Sequence, residues 1–471
     1  MPRNCGRCAK LRDAQWPVMD REFERAYRPG HDIPSRGRRR AREHYRHARQ
    51  ASIGVIRDPA RRRVSSDGVC RARRGPGLRA TSREAAVPLI YLIAGESSGD
   101  LLGARLMRAI AARRPDVTFA GIGGDAMATH SLTSLFPMRE LALMGLLEVV
   151  PRLRHLTARL AETAADIAAR RPAVVVTIDS PGFTLRVLRR IAPLGIPRAH
   201  YVAPQVWAWR ERRVRHYPGL WDRLLCLLPF EPEFFARHRL PASFVGHPVL
   251  ESGADTGDAA RFRTRHAIPP DTRLLVVMPG SRRTEVSRLL PILGATLQRI
   301  APAVPRLQAV VPVAAPVAEA VRQGTRTWPI PPVLVTDTDD KHDAFAAAAA
   351  ALTKSGTSTL ELALAGVPML VAYRVNPLTA AIVRRSVRVQ YASLLNLLAG
   401  QAIVPELLQE QCTPDRLAMA LVRLLTDHAA ATAQRTACHE QLAKLRPAQG
   451  LPSEAAAAAV LGLMGGPLFF E

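Results

Sequence analysis

The chain has 471 residues, of which 48% are hydrophobic and 5% aromatic, and its formal net charge is +26. This length predicts more than one domain, and the hydrophobic content is sufficient for sizeable cores. No run of eighteen uninterrupted apolar residues and no apolar N-terminal core is present, so the sequence predicts neither a membrane-spanning helix nor a signal peptide.

Residues 1–86 form a basic segment with 23 Lys and Arg against 9 Asp and Glu, which is +14 of the total charge. The segment shows no sustained helical or strand period, and we expect it to be disordered. Two alternatives stay open: a basic arm for nucleic acid or membrane, or a stretch outside the working protein. Cys5-x-x-Cys8 is half of a zinc pattern without a second pair at suitable spacing, so no metal is predicted.

From residue 89 onward, buried strands alternate with helices, which is typical of a parallel sheet covered by helices. The strands predicted in the first half are 89–94, 117–120, 174–178, 200–202, 224–228 and 243–245. The clearest helical patterns are 101–112 and 153–170. Residues 87–252 are therefore predicted to be a first Rossmann-like domain.

A second alternating series follows the polar, loop-like residues 251–271, where we expect the linker. Its predicted strands are 274–278, 307–311, 333–336 and 369–373. The domain prediction is a second Rossmann-like domain over 253–430 and a helical segment over 431–471. The predicted fold class is α/β, with two Rossmann-like domains that face each other across a cleft. Ligands bind such sheets at the carboxyl ends of the strands.

The stretch 353–368 combines a glycine-containing loop with a helix start. Helix starts present free N–H groups and partial positive charge, so Ser355, Gly356 and Thr357 suit a phosphate. Glu361, about one turn into the helix, suits a sugar hydroxyl of the same ligand. The alternative is a capping box formed by Ser358 and Glu361, which needs no ligand.

Two further strand ends carry candidate catalytic groups. Asp179 follows the predicted strand 174–178, where a carboxylate suits the role of general base on a sugar hydroxyl. The alternative for Asp179 is an ordinary loop or helix-capping residue. In the second half, Gly280, Ser281 and Arg282 form a loop before a helix, and Arg282 suits a phosphate. The alternative for Arg282 is a solvated surface side chain.

The first strand leads into a loop whose candidate ligand-binding residues are Gly95, Glu96, Ser98 and Asp100. The loop lacks GxGxxG, so the sequence gives little support to a dinucleotide site. His247 follows Gly246 at another strand end and is either a ligand-orienting or a structural histidine.

Residues 141–156 are apolar with interleaved basic residues. We predict that Arg152, Arg154 and Arg159 contact anionic headgroups while an apolar set enters lipid. That set is Met144, Leu147, Val150 and Leu153. The alternative is a helix that packs on the core with a solvated basic side.

Taken together, these motifs resemble the lipid-A-disaccharide synthases, glycosyltransferases of Gram-negative outer-membrane biosynthesis. The likeness runs in order from about residue 89 to about residue 425. The residues that carry it are Ala94-Gly-Glu-Ser-Ser-Gly-Asp100, Glu140-Leu-Ala-Leu-Met-Gly145, Ile178-Asp-Ser-Pro-Gly-Phe183, His200-Tyr-Val-Ala-Pro-Gln-Val-Trp-Ala-Trp-Arg210, Leu228-Pro-Phe-Glu231, Phe244-Val-Gly-His-Pro248, Pro279-Gly-Ser-Arg282, Ser355-Gly-Thr357 with Glu361, and Asn396-Leu-Leu-Ala-Gly400.

The resemblance implies a GT-B fold and transfer of 2,3-diacylglucosamine from UDP to 2,3-diacylglucosamine 1-phosphate, with inversion, giving a β-1,6 disaccharide and UDP. It implies that Asp179 is the base, that Arg282 serves the UDP phosphates, and that the loop from Ser355 with Glu361 binds UDP. Asn396 lies in a matched loop near the nucleotide.

The same resemblance implies a metal-free reaction without cofactors and a peripheral enzyme on the cytoplasmic face of the inner membrane. The matched docking region is 144–156. A homodimer is left open, and nucleic acid is not an expected partner.

The chain departs from the family pattern at Gly182, where related sequences often carry an acidic residue, and in its long basic N-terminus. Three other functions are less consistent with the sequence. Another UDP-sugar enzyme, such as an epimerase, does not explain the membrane features of 144–156. A nicotinamide oxidoreductase lacks its glycine motif. A nucleic-acid-binding protein would need basic patches interleaved with aromatics outside residues 1–86.

We expect removal of residues 1–86 to abolish any salt-dependent binding of nucleic acid, because the segment carries the Arg-rich runs. Binding of labelled single- and double-stranded DNA at several salt concentrations, with and without the segment, measures this. Salt-dependent binding that survives the deletion would favour the nucleic-acid alternative.

Overall fold

The structure is a computed structural model that describes residues 87–465 except 142–145, 210, 377–379 and 381–388. The basic extension 1–86 and Met144 therefore lie outside the described residues. Leu147, Val150 and Leu153 lie in a described helix, but their side chains are not described. The described residues form one compact unit.

The first sheet has six parallel strands in the order β2-β1-β3-β4-β5-β6. Its strands are β1 Leu89–Ala94, β2 Thr118–Ile122, β3 Val174–Ile178, β4 Arg198–Tyr201, β5 Arg223–Cys226 and β6 Ala242–Phe244. The central strand β3 is buried at every position, as expected for a strand covered by helices on both faces. Its register pairs Val176 with Leu92 of β1 and Ala199 of β4.

The second sheet also has six parallel strands, in the order β12-β11-β10-β7-β8-β9. Its strands are β7 Arg273–Met278, β8 Leu307–Pro312, β9 Val333–Val335, β10 Ala350–Thr353, β11 Met369–Tyr373 and β12 Glu406–Leu408. The two sheets confirm the predicted α/β fold class with two Rossmann-like halves.

Helices follow the strands along the chain, in the pattern of a doubly wound sheet. In the first half the described helices are α1 Ser97–Arg113, α2 Asp125–Ala128, α3 Leu146–Arg170, α4 Pro181–Ile191, α5 Val206–Trp209 and α6 Glu231–Arg237. In the second half they are α7 Ala259–Arg265, α8 Arg283–Ile300, α9 Ala318–Thr325, α10 Thr338–Ala347, α11 Ser358–Leu364, α12 Leu394–Ala399, α13 Pro414–Thr426, α14 His428–Ala443 and α15 Pro452–Met464.

The expectation that residues 251–271 are loop-like is wrong over α7. The Asp258 side chain caps this helix by accepting hydrogen bonds from the amides of Ala260 and Arg261 at 2.8 and 3.0 Å. Phe262 is fully buried. A short capped helix with one apolar anchor carries too weak a periodicity to be recognised among polar residues.

The C-terminal helix α15 returns to the first half and packs against α1 and β3. Glu251 anchors its start, because its carboxylate accepts hydrogen bonds from the Ser453 amide at 2.8 Å and the Ser453 hydroxyl at 2.6 Å. Four residues before Glu251 in the chain, the His247 amide donates a hydrogen bond to the Leu445 carbonyl at 3.0 Å. The chain segment that enters the second half and the one that returns from it are therefore hydrogen-bonded to each other.

We expect Glu251→Ala to loosen α15, because it removes both acceptors from the helix start. Loss of a cap costs about 1–2 kcal/mol. Amide hydrogen exchange in 452–464 should then accelerate by roughly 5- to 30-fold. Glu233→Ala on the exposed side of α6 is the matched control and should leave this exchange unchanged. Equal protection of 452–464 in wild type and Glu251→Ala would contradict the anchoring role.

Candidate active site

The first candidate group is the tight turn that follows β3. Asp179 and Ser180 both have φ near +46°, a left-handed backbone conformation that residues other than glycine rarely adopt. Two hydrogen bonds hold the turn: the Asp179 amide donates to the Tyr201 carbonyl at 2.9 Å, and the Thr184 hydroxyl donates to the Asp179 carbonyl at 2.7 Å. This geometry places the Asp179 side chain at the carboxyl end of β3, as the sequence predicts.

The Asp179 carboxyl is partly buried, and this burial raises its pKa, while the Ser180 amide acts in the opposite direction. Helix α4 begins directly afterwards, and its N-cap residue Ser180 makes no side-chain capping bond. Next to this turn, a Cβ built on Gly182 would meet no atom within 4 Å. Position 182 therefore borders open space.

The loop after β1 lies directly against the Asp179 turn. A Cβ on Gly95 would lie 2.5 Å from the Ser180 hydroxyl oxygen, so the close approach of the two loops requires glycine there. Burial and then the negative charge of Asp179 raise the pKa of Glu96, and the positive charge of Arg282 opposes the shift. Glu96 therefore feels both Asp179 from the first half and Arg282 from the second. Ser98 is exposed in the first turn of α1.

Asp100 has a structural set of contacts. It is 6% exposed, and its carboxylate accepts hydrogen bonds from the amides of Gly124, Ala126 and Met127 at 2.7, 2.9 and 3.1 Å. Both carboxylate oxygens therefore hold the loop after β2 in place. A ligand-binding role for Asp100 stays an untested prediction, and these contacts favour a supporting role.

His247 is 5% exposed and also makes structural contacts. Its Nδ1 accepts a hydrogen bond from the Val249 amide at 3.1 Å, and burial lowers the pKa of the ring to about 4. The ring is therefore neutral at physiological pH and caps the 3-10 turn Pro248–Glu251. These contacts favour the structural alternative, and the ligand role is not tested.

In the second half, the loop from Gly280 to Arg282 follows β7. Gly280 has φ near +114°, and a Cβ on it would lie 2.6 Å from Oε2 of Glu285. The Arg282 side chain is 58% exposed, and its Nη1 lies 3.7 Å from Glu285 Oε1. Arg282 thus projects at the start of the long helix α8, where free amides and the helix dipole add positive potential.

The loop between β10 and α11 contains Gly356, whose φ is near +147°. The capping-box alternative for this loop is wrong, since no side chain caps α11. The Ser358 hydroxyl instead pairs with the Thr353 hydroxyl at 3.2 Å. Glu361 accepts hydrogen bonds from Lys341 Nζ at 3.2 and 3.3 Å. Tertiary partners therefore replace the local cap that the spacing suggests.

Asn396 supports the Gly356 loop indirectly, through hydrogen bonds. It is 1% exposed, and its amide nitrogen donates to the Val404 carbonyl and to Glu406, both at 2.7 Å. Glu406 in turn accepts from the Ala392 amide at 2.8 Å, and the Ala392 carbonyl accepts from the Ser355 hydroxyl at 2.6 Å. Asn396 is thus connected to the Gly356 loop by a chain of hydrogen bonds.

The strand ends of the second sheet enclose a cavity of about 450 Å³, within the size range of small-ligand sites. Its lining combines both glycine loops with the ends of β8 and β9. The lining residues are Met278, Gly280, Ser281, Pro312, Val313, Ala314, Ala315, Val335, Thr336, Asp337, Thr338, Lys341, Lys354, Thr357 and Ser358. Lys341 and Lys354 were not predicted, because an isolated lysine carries no spacing signal, whether it lies within a helix, as Lys341 does in α10, or directly after a strand, as Lys354 does after β10.

Comparisons with known proteins decide the family. A model of the lipid-A-disaccharide synthetase family matches residues 90–460. A lipid-A-disaccharide synthase from Granulibacter bethesdensis is 55% identical over 389 residues, which cover 80% of this chain and 99% of that protein. One from Gluconobacter oxydans is also 55% identical, over 86% of this chain and 97% of that protein. The chain belongs to the lipid-A-disaccharide synthase family. It is accordingly a glycosyltransferase of lipid A biosynthesis, as the resemblance implied.

Solved structures support the GT-B architecture expected of a lipid-A-disaccharide synthase. The calicheamicin glycosyltransferase CalG4 aligns over 81% of this chain and 99% of its own, with a TM-score of 0.52 and 17% identity. A putative UDP-N-acetylglucosamine 2-epimerase from Listeria monocytogenes aligns over 80% and 95%, with a TM-score of 0.55 and 14% identity. At these identities the likeness concerns the fold alone.

Within the part of the chain that the structure describes, no helix is both long and apolar enough to cross a membrane. The described part of α3 is amphipathic. It is hydrogen-bonded to the turn that precedes it, because Glu140 accepts hydrogen bonds from His155 and from Arg159, both at 2.7 Å. Arg154 and His155 are exposed on this helix.

We expect Asp179→Asn to stabilise the fold at neutral pH. The folded state raises the pKa of Asp179 by burial, so the carboxyl favours folding at low pH and loses this contribution as pH rises through the folded pKa. Asparagine keeps the shape, has no charge, and tolerates positive φ. Thermal unfolding between pH 4 and pH 8 should show an advantage of the variant that grows with pH. A variant less stable than wild type at pH 8 would contradict the buried-carboxylate account.

Proposed function

We propose that this enzyme is an inverting glycosyltransferase that moves 2,3-diacylglucosamine from UDP to the 6-hydroxyl of 2,3-diacylglucosamine 1-phosphate. The products are the β-1,6 disaccharide 1-phosphate and UDP. Family membership supports the reaction class, and one observation supports the mechanism: the partly buried carboxyl of Asp179 lies at the end of β3, near Glu96, and Glu96 also feels the charge of Arg282 from the second half. Base and phosphate-binding cation thus come from opposite sheets.

The donor belongs to the second half in this proposal. The diphosphate lies by Gly280 and Ser281, where α8 begins, with Arg282 as a charged partner. The nucleoside occupies the cavity of about 450 Å³ at the ends of β7 to β10. Glu361, held by Lys341, accepts a hydrogen bond from a ribose hydroxyl. Ser355, Gly356 and Thr357 form the adjacent wall.

The acceptor belongs to the first half. The Asp179 carboxylate takes the proton from the acceptor 6-hydroxyl, whose oxygen attacks C1 of the donor from the side opposite UDP. The bond from C1 to the β-phosphate oxygen breaks, its electron pair leaves with UDP, and the anomeric configuration inverts. A raised pKa makes Asp179 a stronger base than an ordinary carboxylate. Position 182 lies in open space near this turn, so its glycine leaves room for the acceptor.

We further propose that the enzyme is peripheral on the cytoplasmic face of the inner membrane, because both proposed substrates are acylated. The region from Met144 to Leu153 is the proposed contact with lipid, because its sequence is apolar. The exposed Arg154 follows it directly and suits an anionic headgroup. A homodimer remains a prediction, and a measurement of the molecular mass in solution would test it.

We expect Asp179→Ala to reduce turnover by about 10²- to 10⁴-fold, the usual contribution of a general base. The assay follows UDP release in detergent micelles that contain UDP-2,3-diacylglucosamine and 2,3-diacylglucosamine 1-phosphate. Release should require both substrates and give a disaccharide. Asp116→Ala, which alters an exposed pair with Arg114, is the control.

Two outcomes would contradict this proposal. Near-normal turnover in a folded Asp179→Ala protein would remove Asp179 from the role of base. Release of UDP without acceptor at the same rate would indicate hydrolysis instead of glycosyl transfer.

A further inference from the structure

Lys354 lies directly after β10 and lines the cavity of the second half. Its side chain is only 20% exposed, and its Nζ lies 3.8 Å from Glu285 Oε2. No hydrogen bond to this Nζ is present among the residues that the structure describes. A lysine ammonium has three donors, so a partly buried one in this position is prepared to bind an acceptor that enters the cavity.

Glu285 lies in the first turn of α8 and is 7% exposed. Its Oε2 has no hydrogen-bond partner in the described structure. Its Oε1 lies 3.7 Å from Arg282 Nη1. One buried carboxylate thus has a cation on each side, Arg282 and Lys354, and both are beyond hydrogen-bonding distance. Their charges offset the cost of burying the carboxylate.

The two glycine loops enclose this arrangement. A Cβ on Gly356 would lie 3.1 Å from Lys354 Nζ, and one on Gly280 would lie 2.6 Å from Glu285 Oε2. Both glycines have positive φ, so a side chain at either position would strain the backbone as well. The lysine ammonium is therefore held against the loop that, under the proposed function, forms the wall beside the donor.

Lys341 lines the same cavity but differs in its partners. Its Nζ is bonded to both carboxylate oxygens of Glu361 and lies 5.7 Å from the centre of the Phe345 ring. The charge of Lys341 is therefore already matched within the protein. Of the two cavity lysines, Lys354 is the one whose donors have no hydrogen-bond partner in the described structure.

We propose that Lys354 binds the diphosphate of the nucleotide donor as a second cation beside Arg282, and that Glu285 is the positioning residue for both. This inference rests on the proposed function. When the bond from C1 to the β-phosphate oxygen breaks, the electron pair goes to that oxygen. The ammonium stabilises the resulting charge by a hydrogen bond, without giving up its proton.

The test compares UDP, UMP and uridine as ligands of the full chain by titration calorimetry. Lys354→Met keeps the length of the side chain and removes the charge. It should weaken UDP binding by at least about tenfold, weaken UMP binding less, and leave uridine binding unchanged. Lys354→Arg keeps a charge and should retain UDP binding within several-fold. Lys444→Met, at an exposed lysine that donates to the Leu398 carbonyl, is the control.

Glu285→Gln tests the positioning role, since glutamine has the same size without the charge. Removal of a negative charge beside the diphosphate should leave UDP affinity unchanged or raise it. The turnover number at saturating substrates should nevertheless fall by about tenfold or more, because both cations lose their anchor. An unchanged turnover number would overturn the role of Glu285.

The outcomes separate this inference from the proposed function. Failure of the wild-type protein to bind UDP would contradict the proposed function itself. If the wild type binds UDP and Lys354→Met binds UDP equally well, the role of Lys354 is overturned. Equal losses for UDP and uridine, with a lower melting temperature, would also overturn it, because they show a packing role. Lys354→Gln replaces the methionine variant if that variant does not fold.

Discussion

Parallel pairing of every strand in both described sheets is the constraint on which the site depends. It places all strand carboxyl ends of a sheet at one edge, so residues far apart in sequence become neighbours there. Asp179 after β3 and Glu96 after β1 meet in this way. Arg282 after β7 acts on Glu96 from the other sheet. No local sequence signal encodes this convergence, because it follows from the topology alone.

The turn at Asp179 and Ser180 combines two features that oppose folding. Asp179 and Ser180 occupy left-handed backbone, and the Asp179 carboxyl is desolvated. The surrounding structure overcomes both through the fully buried β3 and the hydrogen bonds from Asp179 to Tyr201 and from Thr184 to Asp179. Gly95 contributes by its missing side chain, which lets the neighbouring loop close on Ser180. Under the proposed function, this rigid support holds a poorly hydrated carboxylate in place to act as the base.

Much of the fold follows from the sequence, because buried parallel strands are continuous apolar runs. Strands 89–94, 174–178 and 369–373 agree with the structure at both ends. The strand β12 was not predicted, since its three residues Glu406–Leu408 are only half-buried and include a charged one.

The site residues could be predicted only where a sequence motif marks them. Loop glycines and Asp179 carry such a signal. Lys354 and Glu285 do not, because their relation depends on a tertiary contact between the end of β10 and the first turn of α8. The capping box failed for the same reason: Lys341, distant in sequence, takes the carboxylate of Glu361.

The end of the chain also contributes to the site, although no residue of α15 lies in it. Glu251 fixes the start of α15, and α15 packs against α1, whose first turn follows Glu96. The His247 amide donates a hydrogen bond to the Leu445 carbonyl, so the two chain segments that connect the halves lie side by side at this point. Gly246 permits this contact, because a Cβ there would lie 2.7 Å from Pro447. The segment that follows the second half therefore ends in a helix that packs against α1, which begins directly after Glu96.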